Sequence, residues 1–309
     1  MSFNGLLLQK ETKKSLENFL QDVSGGAILF GDKGIGKSLC ARRIACSILN
    51  CNEKELDIHP DFYCVEPIKD VIKIEQIHSL RSRCGMVATM GEKKVYIIID
   101  ADKMSYSAQN AILKVLEDGN KTNIILFVTQ NMLLHTIHSR CTMIRFKNPT
   151  KEQLTQYEGL KGNQIDPIAN SISDGRIGFY QQLKQEGEYL DTIQRIINTF
   201  NTMNMKRELT EAFHVLKEKD KDSFMEKYEM EYVISFMKLL RDIFTDLIMV
   251  KYGKEPGFDF INYENLIGQY SLIRMMTVAE SLDRDLLRTK IKGGYNKNDF
   301  FNLVKILVA

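Results

Sequence analysis

The 309-residue chain carries 42 Lys and Arg against 40 Asp and Glu, a formal net charge of +2, with 44% hydrophobic and 27% charged residues. This balance excludes a broadly basic nucleic-acid coat and a disordered polar chain, and leaves a globular protein of two or three domains at roughly 100–200 residues each. No apolar stretch approaches the ~18 residues of a membrane span, and the first residues carry neither a basic leader nor a cleavage site. The six cysteines are scattered without a C-x-x-C pair, so reduced thiols in a cytoplasmic protein without a membrane anchor are expected.

In chain order, Glu11 to Val23 places Leu16, Phe19 and Leu20 on one helical face. Ala27 to Phe30 is a short apolar strand between glycines, and Ser38 to Leu49 has helical spacing. Ile74 to Cys84 reads as a further helix. Val95 to Ile99 is a β-branched and aromatic run, as expected of a strand covered on both faces. Ser105 to Glu117 spaces Ala108, Ala111, Ile112, Val115 and Leu116 for burial, and Ile124 to Thr129 is another buried strand. Strands alternating with helices predict a parallel sheet with helices on its faces.

The pattern changes near Asn148-Pro149. Thr150 with Gln153 forms a helix-starting capping box. Beyond it no buried-strand run is found, and Pro167 and Gly175 to Gly178 punctuate short helices. Glu188 to Phe200, Lys206 to Lys219, Met230 to Tyr252 and Ile273 to Lys290 carry helical spacing. Residues 148–309 are therefore expected to be all-helical. Leu239, Leu240, Ile243, Phe244 and Leu247 are set at core spacing, for packing within the chain or between subunits.

Gly31-Asp32-Lys33-Gly34-Ile35-Gly36-Lys37-Ser38 matches G-x-x-x-x-G-K-[ST] in full. Gly31, Gly34 and Gly36 let backbone amides turn inward around phosphates, Lys37 brings positive charge to the β and γ phosphates, and Ser38 ligates Mg²⁺. The following helix directs its positive end at the anion. ATP or ADP with Mg²⁺ is the expected cofactor. Walker-type ATPases place a magnesium-binding Asp at the end of a neighbouring strand, usually followed by a catalytic Glu. Here Asp100 fits the metal position, but Ala101 stands where the Glu would be, and alanine can neither accept a proton nor orient a water. Asp102 reads as a helix cap.

Several runs together resemble one family. His59-Pro60-Asp61-Phe62, Ile74-Glu75-Gln76-Ile77 with Arg81, Asp100-Ala101-Asp102-Lys103-Met104, Asn110 to Glu117 and Ser139-Arg140-Cys141 resemble motifs of the AAA+ clamp-loader family of bacterial DNA polymerase III. Similarity is strong over 1–150 and thins afterwards, though Asn296 to Leu307 is similar to the final collar helix. The resemblance implies an α/β AAA+ domain at 1–148, a small helical lid at 149–195 and an all-α collar at 196–309. It implies that Arg140 is an arginine finger reaching the ATP site of a neighbouring subunit, where a guanidinium suits the γ-phosphate. Arg176 resembles the sensor-2 arginine, and Thr129 or Asn131, with Asn131 preferred, stands at sensor 1. Implied partners are the other subunits of a hetero-pentamer, the sliding clamp and primer-template DNA. Lys33, Arg81, Arg83, Lys93 and Lys94 are candidates for DNA contact by charge alone.

The chain departs from that family in two respects. The four-cysteine zinc module found in many members looks deleted, so no zinc is expected. The kept P-loop beside Ala101 suggests nucleotide held rather than cleaved, as a structural or regulatory ligand. An ATP-hydrolysing motor subunit of the same family predicts the missing Glu and the zinc cysteines. An unrelated P-loop kinase would not explain Ser139-Arg140-Cys141 or the long helical tail.

Overall fold

A computed structural model describes residues 3, 5–117, 122–185, 187–201 and 230–292. The helix expected over Lys206 to Lys219 and the collar helix over Asn296 to Leu307 lie outside these residues. The described chain divides into two compact units. One comprises Met1–Asn163 with Asp174–Phe179, the other Gln164–Ser173 with Tyr180–Ala309.

The first unit is built on five parallel strands: β1 (Gly26–Phe30), β2 (Phe62–Val65), β3 (Lys94–Ile98), β4 (Asn123–Thr129) and β5 (Cys141–Arg145). Their order across the sheet is β2-β3-β4-β1-β5. The register sets Phe30 beside Thr129 and Gly26 beside Cys141. Side chains alternate between two apolar layers. Ala27, Leu29, Val95, Ile97, Ile124, Leu126 and Val128 join Leu16, Phe19 of α1 (Lys10–Gln21) and Cys40, Ile44 of α2 (Lys37–Leu49). Ile28, Tyr96, Ile98, Ile125 and Phe127 join Ile77, Leu80 of α3 (Ile74–Cys84) and Ala108, Ile112 of α4 (Tyr106–Glu117) on the other face. Helices on both faces explain why β3 and β4 read as unbroken apolar runs. The short α5 (His135–His138) leads into β5, and α6 (Lys151–Leu160) follows it. The expected capping box is present: Gln153 N donates to Thr150 Oγ1 at 3.2 Å, and Thr150 N donates to Gln153 Oε1 at 2.9 Å.

Asp61, of the His-Pro-Asp run, is a structural clamp. It is 2% exposed, and its two oxygens accept the amides of Thr89 at 2.7 Å and Met90 at 2.8 Å. Burial pushes its pKa up, but the two amides, with His59 and Lys94 nearby, outweigh this and hold it below the ordinary carboxylate range. A carboxylate depressed on folding stabilises the fold above its unfolded pKa, about 4, and that contribution is lost as pH falls through the lower folded value. Asp61→Asn is expected to cost about 1–3 kcal/mol near neutral pH. Its deficit relative to the wild-type chain should shrink on acidification from about pH 4 downward, which urea melts in neutral and acidic buffer would measure.

The second unit contains helices and no strand among its described residues. Pro167 opens α7 (Pro167–Ser173), as a residue without an amide donor suits a first helical position. The helix α8 (Ile177–Gln185) is followed by α9 (Gly187–Asn201), Met230–Lys251, Tyr263–Gln269 and Leu272–Lys292. Leu239, Leu240, Ile243, Phe244 and Leu247 are all buried within this chain, so their core spacing serves internal packing. Among the described residues no helix is long and apolar enough to cross a membrane.

Candidate functional site

In a parallel sheet the loops after successive strands emerge at one carboxyl edge, where ligands of open α/β folds bind. Here β1, β4 and β3 are neighbours, so three sequence-predicted groups converge: the loop Gly31–Gly36 after β1, Gln130–Asn131 after β4, and Asp100–Lys103 after β3. The amide of Gly31 donates to Thr129 O at 3.2 Å, tying the first two together.

The loop turns through Gly34 at φ 78° and Gly36 at φ 91°, a left-handed conformation that side-chain-bearing residues rarely adopt. Gly36 is the N-cap of α2, and no side chain caps that helix. The first turn of α2 therefore presents amides to its N-terminal side, an arrangement suited to an anion. Lys37 is 6% exposed. Its ammonium folds back onto the loop, donating to Gly31 O at 2.7 Å and Asp32 O at 2.5 Å. Ser38, half-buried, is the second residue of α2. Asp32 accepts from Asn148 Nδ2 at 2.9 Å, which braces the loop from the far side of β5 in sequence.

The acidic cluster differs in detail from the sequence expectation. Asp100 lies 3.5 Å from Lys103 Nζ, which also bonds Asp70 at 2.7 Å. Ala101 is fully buried in the apolar layer beneath α4. Asp102, read as a helix cap, instead organises the end of β4. Its Oδ1 accepts from Thr129 Oγ1 at 3.0 Å and from Gln130 N at 3.3 Å, and its Oδ2 from Asn131 Nδ2 at 2.8 Å. A carboxylate with both oxygens engaged by neighbouring donors is poorly placed to replace a catalytic Glu. Both sensor-1 candidates, Thr129 and Asn131, thus hang on Asp102, a residue whose part in the site the sequence did not reveal.

Arg176 is 9% exposed, and its guanidinium sits 4.4 Å from the Phe179 ring centroid. Its segment lies on the loop: Gly178 N donates to Gly34 O at 2.8 Å.

Arg140 does not join this constellation. It immediately precedes β5, whose Cys141 pairs with Gly26, whereas the loop leaves β1 after Phe30. The two lie at opposite ends of the sheet, about 16 Å of strand apart at ~3.3 Å per residue. Its Nη1 donates to Thr136 O at 3.0 Å and Ser139 Oγ at 3.2 Å, and its Nη2 to Glu117 Oε1 at 2.9 Å. The pair is half-exposed at 37% and 52%.

Three of the basic residues singled out for DNA engage groups of the chain itself. Lys94 is buried, donating to Arg83 O and Met86 O. Lys93 donates to Val23 O at 2.9 Å, and Arg83 stacks over Tyr63. A cavity of about 820 Å³ lined by Leu20, Leu49, Cys51, His59 and Met90 lies at the amino ends of the strands, away from the phosphate loop.

Comparison with known proteins places these features. The family described as DNA polymerase III, delta subunit, matches residues 8–150. The chain is similar to DNA polymerase III subunit delta′ of Bacillus subtilis, 26% identical over 299 residues, covering 91% of this chain and 88% of that protein. It is 30% identical over 132 residues to subunit delta′ of Pseudomonas aeruginosa, covering 37% of this chain and 40% of that protein. Among solved structures, a DNA polymerase III gamma subunit-related protein of Thermotoga maritima aligns over 97% of this chain and 99% of its own, with 18% identity and a TM-score of 0.49.

Proposed function

We propose, for a chain that belongs to the DNA polymerase III delta′ family, the role of a clamp-loader subunit that holds a nucleotide and serves a neighbour's ATP site. In this reading the amides of Gly31–Ser38 and the Lys37 ammonium grip ATP or ADP. The Ser38 hydroxyl and Asp100 hold its Mg²⁺, and Asn131 and Arg176 close the pocket around the phosphates. The uncapped start of α2 fits such an anion. Lys37 would exchange two neutral carbonyls for phosphate oxygens, forming shorter, charge-assisted bonds. Bound Mg²⁺ would neutralise phosphate charge. Residues 1–148 then act as the nucleotide domain, 149–195 as lid and 196–309 as the collar that joins a hetero-pentamer. The whole complex places a sliding clamp on primer-template DNA.

The observation that carries the reading is the position of Arg140. It stands at the sheet end opposite its own phosphate loop, half-exposed. A guanidinium about 16 Å of strand from its own P-loop can assist phosphoryl transfer only at another chain's site. Ala101 and the engaged carboxylate of Asp102 favour this over a motor subunit, since neither supplies a base for water. ATP turnover by a reconstituted complex carrying Arg140→Ala is the test.

A further inference from the structure

We propose that Gly178 sets the phosphate loop in its anion-binding shape, by fixing the orientation of the peptide between Gly34 and Ile35. The inference rests on the nucleotide reading above and goes beyond it. Gly178 lies in the first turn of α8, where backbone amides have no partner within the helix. Its amide donates instead to the carbonyl of Gly34, in the middle of the phosphate loop, at 2.8 Å.

The described chain has no cis peptide, and in a planar trans peptide the carbonyl and the next N–H point in opposite directions. Holding Gly34 O toward Gly178 therefore turns the Ile35 N–H away from it. That peptide is one able to flip, because it follows a glycine at φ 78°. The amides of a phosphate nest must face the anion together. A bond that locks the carbonyl outward removes the competing orientation before the anion arrives.

Contact on both sides is backbone to backbone. A Cβ on Gly178 would meet Gly34 O at 2.9 Å and Gly34 Cα at 3.3 Å, and one on Gly34 would meet Phe179 N at 3.2 Å. Neither neighbour is a side chain that can swing aside. Gly175 anchors the same segment from behind: a Cβ there would fall 1.8 Å from Pro149 O, on a backbone at φ 75°. Two glycines placed back to back, 144 positions apart, thus give the helix its seat on the loop. Gly178 acts through the loop and is a positioning residue.

The test measures binding of a fluorescent ADP analogue with Mg²⁺ to the full chain, alongside amide hydrogen exchange. Gly178→Ala is expected to weaken binding about tenfold, the scale of one hydrogen bond to a charged group, in a chain that still folds, as a cooperative thermal melt would show. Gly159→Ala, whose Cβ meets nothing within 4 Å, should bind as the wild-type chain does. In the wild-type chain without nucleotide, the Gly178 amide should exchange slowly. Binding by Gly178→Ala within twofold of wild type, or a Gly178 amide exchanging at the rate of an unstructured peptide, would overturn the proposal. Failure of the wild-type chain to bind would contradict the nucleotide reading instead, and the exchange rate would still decide whether the latch exists.

Discussion

In a reconstituted clamp-loader complex, Arg140→Ala is expected to lower ATP turnover at the neighbouring site by roughly a thousandfold or more, the scale of an arginine finger, while the complex still assembles. The structure explains why assembly should survive. Among the described residues Arg140 donates to Thr136 O, Ser139 Oγ and Glu117 Oε1, all on its own surface. The ion pair is half-exposed, and such pairs contribute at most about 1 kcal/mol. A fall in turnover without a fall in thermal stability separates a catalytic guanidinium from a structural one. Lysine at the same position should rescue little, because a point charge lacks the planar fork that spans two phosphate oxygens. Unchanged turnover in the Arg140→Ala complex would remove Arg140 from the neighbour's site.

The second large effect is expected at the cradle. Lys37→Ala should weaken ATP and ADP binding by about a hundredfold or more, since it removes charge-assisted bonds to two phosphates at once. Stability should change far less. Of the two carbonyls that Lys37 now engages, that of Asp32 belongs to an exposed residue where water can replace the ammonium, and water entering the space left by the side chain can reach that of buried Gly31. Titration of a labelled nucleotide, paired with a thermal melt, measures both quantities. Equal affinity in the variant and wild-type chains would mean that the loop does not hold a nucleotide.

The parts of the fold that were legible in the sequence are those governed by local pattern. β1, β3 and β4 lie between two helical layers and read as apolar runs. The Thr150–Gln153 box needs only four residues. Short edge strands escaped: β2 has four residues and β5 five, and of β5 only Ile144 is buried, with Cys141 and Met143 half-exposed and Thr142 and Arg145 exposed. Neither edge has the double-sided burial that makes a strand conspicuous.

Site residues divide in the same way. The loop Gly31–Ser38 is contiguous and was visible. The role of Asp102 depends on partners 27 to 29 positions away, and that of Gly178 on one 144 positions away. Only tertiary structure brings these together. The burial of Lys94 was hidden for a related reason. A charged side chain is taken as solvated by default, yet Lys94 finds two carbonyls in the interior. The location of Arg140 followed from strand register, which composition and motif do not encode.

In the proposed role this chain's cradle holds a nucleotide without cutting it, while its arginine works on the nucleotide next door. Single-turnover measurement tests it most directly, with the purified chain in excess over radiolabelled ATP and Mg²⁺. ATP should be bound and recovered intact, with phosphate release no faster than in the Lys37→Ala control. Phosphate release at a motor-like rate, about 1 per second or faster, would contradict it and make this chain an ATP-hydrolysing subunit in its own right.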